Sequence, residues 1–157
     1  MKKLKKEVLE LLEENDFENN IQKFHKYDER KLANTLFSFL CSTDKTIKDR
    51  TVLAFGEVIL KIAEDDIEFA RTIMRRLMLS LTEESGGIGW GAPEAMGEIM
   101  ARSEKLAEEY HKILISYTLG GGNELDFEDL QKDVIAGLRR LAQVRPTLVK
   151  EVDHLLN

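Results

Sequence analysis

The chain has 157 residues, 43% hydrophobic and 33% charged, and its 29 acidic and 23 basic residues leave a formal net charge of −6. That length suits one domain with a real core, and the acidic balance argues against a nucleic-acid duplex as partner, because affinity there comes from cations meeting phosphate. The single cysteine, Cys41, excludes an intramolecular disulfide and a cysteine-based metal cluster.

In chain order, residues 2–14 place Leu4, Val8, Leu11 and Leu12 at helical spacing with charge elsewhere. The basic start lacks the apolar run of a signal peptide, and nothing approaches the roughly 18 apolar residues of a membrane span. The expectation is a cytoplasmic protein with no membrane contact. Asn15-Asp16 stops the first helix, and Asp16 is placed to cap a short one over Phe17–Lys26. Asp28 reads as the cap of a helix over 29–42 that carries Cys41 on an apolar run, where the thiol should be buried and inert. Thr46 and Asp49 resemble a capping box at the start of a helix over about 46–63. Asp66 should cap 67–82, and Pro93 should sit in the first turn of a helix that starts between Trp90 and Pro93 and ends near Ala101. Ser103 should cap 104–119 and Asp126 should cap 127–143, with Gly120-Gly121-Gly122-Asn123 as a break between them. Pro146 opens a last helix over 147–156, and no strand pattern is present.

The stretch Gly86–Ile99 holds the only Trp and five of the ten Gly, and it echoes earlier sequence. A shift of 41 residues lays Ala95-Met96-Gly97-Glu98-Ile99 on Ala54-Phe55-Gly56-Glu57-Val58 and brings Ala95 to Ala136. Ile47 and Thr51 fall on Ile88 and Ala92, and Leu32, Leu36 and Leu40 fall on Ile73, Leu77 and Leu81. The third copy is degenerate, with Asp133, Ala136, Gly137, Leu138 and Arg140 in register. A period of this length suggests stacked two-helix units. A glycine inside a helix costs about 1 kcal/mol relative to Ala, so its recurrence at 56 and 97 points to a packing need.

Ile47-Lys48-x-x-Thr51-Val52-x-Ala54-Phe55-Gly56-x-Val58 resembles the Val-Arg-x-x-Ala-Ala-x-Ala-Leu-Gly-x-Leu signature of HEAT repeats, in the short form found in phycobilin lyases. Ile88-Gly89-x-x-Ala92-Pro93-x-Ala95-Met96-Gly97-x-Ile99 is similar, with Gly89 in place of the usual Arg, and the likeness covers roughly residues 29–145. The resemblance implies an all-α, right-handed α-solenoid of about three helical hairpins. These would be repeats at 28–65, 66–102 and 103–145, with caps at 1–27 and 146–157. It also implies that the second helices line a concave binding surface.

With the signature positions in the core, Trp90, Leu53 and Ile135 should face outward as apolar anchors within a polar rim of Glu57, Glu94, Glu98 and Arg139. One reading of that face is a solvated surface with Glu57–Lys61 and Glu98–Arg102 pairs along each helix. The sharper reading is a groove for another protein or peptide. The sticky face of helix 2–14 packs either internally or on a second copy, so a homo-oligomer stays open. The leading expectation is thus a non-catalytic interaction scaffold without cofactor or metal.

The alternative is small-ligand binding or catalysis at the 86–98 loop, through Gly86, Gly87, Gly89 and Gly91 with Glu94 and Glu98. Backbone N–H groups there could hold an anion, but no Lys or Arg lies between Glu83 and Ala101, and no Walker lysine follows. Glu94 and Glu98, one turn apart, could raise each other's pKa as an acid–base pair if a cleft joined them. His25, His111 and His154 are scattered, and Glu108 three residues before His111 is a weak metal pair. The His-Glu metal motifs of the HEAT-repeat hydroxylase that acts on deoxyhypusine are absent.

Overall fold

A computed structural model describes residues 2–82 and 90–157. Gly86, Gly87, Ile88 and Gly89 lie outside the described residues. The order is α1 (Lys2–Glu13), α2 (Phe17–Asn20) running into a 3-10 segment (Ile21–Lys26), α3 (Glu29–Leu40), α4 (Lys45–Asp65), α5 (Ile67–Ser80), α6 (Ala92–Arg102), α7 (Glu104–Ser116), α8 (Glu128–Val144) and a final 3-10 segment (Pro146–Leu155). The fold is all-α, with no strand among the described residues.

The helices form two layers. In one, α6 lies between α4 and α8; against it pack α3 on α4, α5 on α4 and α6, and α7 on α6 and α8. The apolar side of α1 is buried against α3 and α4, and the last 3-10 segment closes on α7 and α8. Leu36, Phe55, Ile59, Met74, Met96, Ile99 and Leu138 are among the core side chains, and Val8 and Leu12 of α1 join the same cluster. The sticky face of the first helix is therefore used internally. Across the other layer, Arg71 of α5 reaches Glu109 of α7 at 2.7 Å, and Arg76 of α5 donates to the Asn34 side chain of α3.

Most of the described positions that echo at 41 residues are core positions. Ile47, Thr51, Ala54, Phe55, Gly56 and Val58 are buried on α4, and Ala92, Ala95, Met96, Gly97 and Ile99 on α6. Every residue of α6 from Ala92 to Ala101 is buried except Glu94, which is half-buried. A helix with neighbours on so many sides has room only for small residues where the chains cross. A Cβ on Gly97 would lie 2.2 Å from the Gly137 carbonyl oxygen, and one on Gly137 would lie 2.4 Å from that of Pro93. Gly137 thus sits where the backbones of α8 and α6 cross closely. Gly56 has a different purpose: its missing Cβ leaves space for side chains, with Arg102 Nε at 2.6 Å and Glu98 Cγ at 2.7 Å from where it would be.

Asp28, Asp66 and Ser103 cap their helices by accepting from the backbone N–H of Lys31, Phe69 and Leu106. Pro93 sits in the first turn of α6, whose N-cap, Gly91, has φ +81°, a left-handed value that glycine adopts without strain. Several local expectations need correction. α4 starts one residue earlier than Thr46, so its cap is Asp44, which accepts from Ile47 N–H, while Asp49 pairs with Lys45 at 2.6 Å. Asp16 takes the Asn19 side-chain amide rather than a backbone N–H. α8 starts at Glu128 with Phe127 at the cap, so Asp126 is one residue too far out to cap it. Cys41 is exposed, because α3 ends at Leu40 and the cysteine falls just past the last core-facing turn.

Candidate functional site

The seam where α4, α6 and α8 meet carries two clusters of charge. The first joins one residue from each helix: Lys48 Nζ lies 3.1 Å from Glu94 Oε1 and 3.1 Å from Asp133 Oδ1. Asp133 Oδ2 also accepts from the Gly91 N–H at 3.0 Å, which anchors α8 to the first turn of α6. Burial pushes the Glu94 carboxyl up to about 7, and its hydrogen bond to Asp133 adds to this against the pull of Lys48. Burial works against the Lys48 charge, but the two carboxylates overcome it and hold its pKa above the ordinary value.

The second cluster centres on Glu98, whose side chain is only 3% exposed. Arg102 Nε donates to it at 2.7 Å from the next turn of α6, and Arg140 of α8 donates from Nε at 2.8 Å and from Nη2 at 3.2 Å. Arg102 also reaches Glu57 of α4 at 3.2 Å, and Glu57 meets His25 Nε2 at 2.8 Å. Burial alone would raise the Glu57 carboxyl; His25 and Arg102 outweigh it and hold the group below the usual range. A buried carboxylate needs such partners, because an unpaired charge in the interior costs several kcal/mol. At the far end, Arg145 donates to the carbonyls of Met100 and Ala101 and so caps the last turn of α6.

These contacts divide the expected binding face. Glu98 does not form an exposed rim but lies inside, held between two arginines because α8 packs over its helix face. Glu98–Arg102 forms as an intrahelical pair, but Glu57 turns to His25 and Arg102, and Lys61 goes instead to Glu29 at 3.8 Å. Glu94 and Glu98 belong to separate clusters, so the acid–base alternative, which needs a cleft joining them, finds no support; the carboxylate that raises Glu94 is Asp133. Trp90 is half-buried in the turn before α6. Leu53 and Ile135 are half-buried and line different clefts. Leu53 faces a small one beside Asp16, Phe17 and Arg50.

Ile135 and Arg139 do come together. They line a cleft of about 450 Å³ on the outer side of α8, with Leu119, Leu155, Glu128 and Lys132. Leu119 is 71% exposed, the most of any large hydrophobic residue described. Another cleft, of about 760 Å³, runs between α5 and α7 past Met78, Leu79, Ile113 and Leu125. Among the described residues, no group of three or more His, Cys, Asp or Glu is placed to hold a metal ion, and no helix is long and apolar enough to cross a membrane.

No family model, curated protein or solved structure matches this chain. Its functional reading therefore rests on its own geometry.

The sequence reading missed Asp133 and Arg140, though a signal for both was present. In the 41-residue register they fall on Ala92 and Ile99, both core positions. A charged residue at such a position needs a partner of opposite charge, and Lys48 serves Asp133 as Glu98 serves Arg140.

Proposed function

We propose that this protein is a non-catalytic protein-interaction module. In this reading it is a short HEAT-like solenoid that presents the outer side of its last second helix to a partner. The cleft beside α8 supports this best: exposed Leu119 stands beside Ile135 and Leu155, with Lys132, Arg139 and Glu128 at the edge. An apolar floor with a charged rim is the composition of a protein-binding hot spot. Lys48, Glu57, Glu94, Glu98 and Arg102 of α4 and α6, by contrast, are engaged in ion pairs, and pairs that hold helices together are not free to read a partner.

The test is replacement of Ile135 and, separately, of Leu119 by Asp, followed by recovery of bound proteins from the source cell with each variant as bait. The expected result is loss of a specific partner with unchanged helical circular dichroism. Full recovery of that partner by both folded variants would overturn the assignment to this cleft. Screening Trp90 fluorescence against metabolites tests the ligand-binding alternative; a saturable shift there would favour it.

A further inference from the structure

Given that reading, the same cleft also indicates the chemistry of its occupant. Lys132, Ile135 and Arg139 are spaced by three and four residues, so they share one face of α8. The two cations stand two turns apart, about 10 Å along the axis, with the apolar residue between them. Neither is strongly engaged. The carboxylate nearest Lys132 is Asp129 at 3.9 Å, and the Arg139 bond is from Nε to the Leu156 carbonyl at 3.1 Å. Among the described residues Arg139 has no carboxylate partner, whereas Lys48, Arg102 and Arg140 all do.

A second copy of the chain fits this face badly. A two-fold pairing of α8 on α8 centred between Ile135 and Ala136 would bring Lys132 of one copy opposite Arg139 of the other, and like charges across an interface are disfavoured. We propose that the occupant is an acidic amphipathic helix of another protein, with a Leu- or Ile-type anchor entering between Leu119 and Leu155 and a carboxylate one turn to either side meeting Lys132 and Arg139. Helix-in-groove recognition uses this anchor spacing, and Glu128 at one end of the cleft fixes polarity by repelling an acid placed there.

The test uses the full chain and two fluorescein-labelled helical peptides of roughly 14 residues. Both carry the same Leu anchor; one has Glu one turn either side of it and the other has Lys. Anisotropy titrations are run at about 50 mM and about 500 mM salt, since screening weakens exposed ion pairs. The Glu peptide should bind at least about fivefold more tightly at low salt, as two rim pairs predict. That preference should shrink at high salt and reverse in Lys132→Glu/Arg139→Glu, whose exposed positions leave the fold intact. Ile135→Ser should weaken both peptides equally. Equal affinity for the two peptides would overturn the acidic occupant but leave the cleft assignment standing, provided Ile135→Ser weakens both. Binding of neither peptide, or binding indifferent to Ile135→Ser, would overturn the helical occupant of this cleft.

Discussion

Glu98 is a charged residue on a helix whose other buried residues are all uncharged. Its two oxygens receive Arg102 and Arg140, so removing its charge leaves two guanidinium groups beside the core with no counter-ion. Glu98→Gln keeps the shape and loses the charge. It should lower unfolding free energy by about 2–3 kcal/mol in a urea titration, below the full cost of breaking a buried pair because both arginines are partly solvated. Glycines give a second contrast. At Gly97 an added methyl meets the backbone of α8, which cannot yield locally; at Gly56 it meets the Arg102 and Glu98 side chains. Gly97→Ala should cost about 3 kcal/mol or more, and Gly56→Ala about 1–2 kcal/mol after the gain of roughly 1 kcal/mol in helix propensity. Denaturant midpoints of the two variants, measured side by side, check the order.

Among the elements, caps separate what was legible from what was not. Asp66 and Asp126 look alike in sequence, each an acid ahead of an apolar-periodic run. Only Asp66 accepts a backbone N–H, because α8 begins one residue later than its pattern suggests. Asp66→Ala should cost about 1 kcal/mol and Asp126→Ala within about 0.5 kcal/mol, as thermal melts of the two can show. Helix existence was readable throughout because apolar spacing is a local property, and the core of α4 and α6 followed from the repeat. The charge clusters were not readable as clusters. Lys48 and Asp133 are 85 residues apart, and Glu98 and Arg140 are 42 apart, one step off the repeat register. The register sets Glu98 beside Arg139, but its partner is the next residue, Arg140. Glu98 was misplaced on the outward face for a related reason: sequence periodicity places residues around one helix but does not show that α6 is covered on nearly every side.

Across the whole molecule, the junction of α4, α6 and α8 contains a group that titrates near neutrality. Glu94 has an ordinary value of 4.5 and is pushed up to about 7 in the fold, facing Asp133, Lys48 and the more distant Lys45. The folded chain therefore holds more protons than the unfolded chain between these values. The contribution of Glu94 to stability is fully present below about pH 4.5 and is lost as pH rises through about 7. Solvent around this half-buried group screens the effect, which should be about 1–2 kcal/mol rather than the full 1.4 kcal/mol per pH unit. Urea midpoints taken at acid and mildly alkaline pH should fall across this window, and Glu94→Gln should flatten that fall and raise the midpoint on the alkaline side. An unchanged slope in the variant would remove Glu94 as its source.

The enclosure of α6 has a further consequence for how the chain comes apart. Linear arrays of repeats can lose one end while the rest persists, but a central helix that touches α4, α5, α7 and α8 links both ends of this short chain. Its amide hydrogens should exchange with deuterium only when everything opens at once, so that their slowest rates report the global unfolding free energy. Amides of α1 and of the Pro146–Leu155 segment should exchange earlier, through fraying that leaves the middle closed.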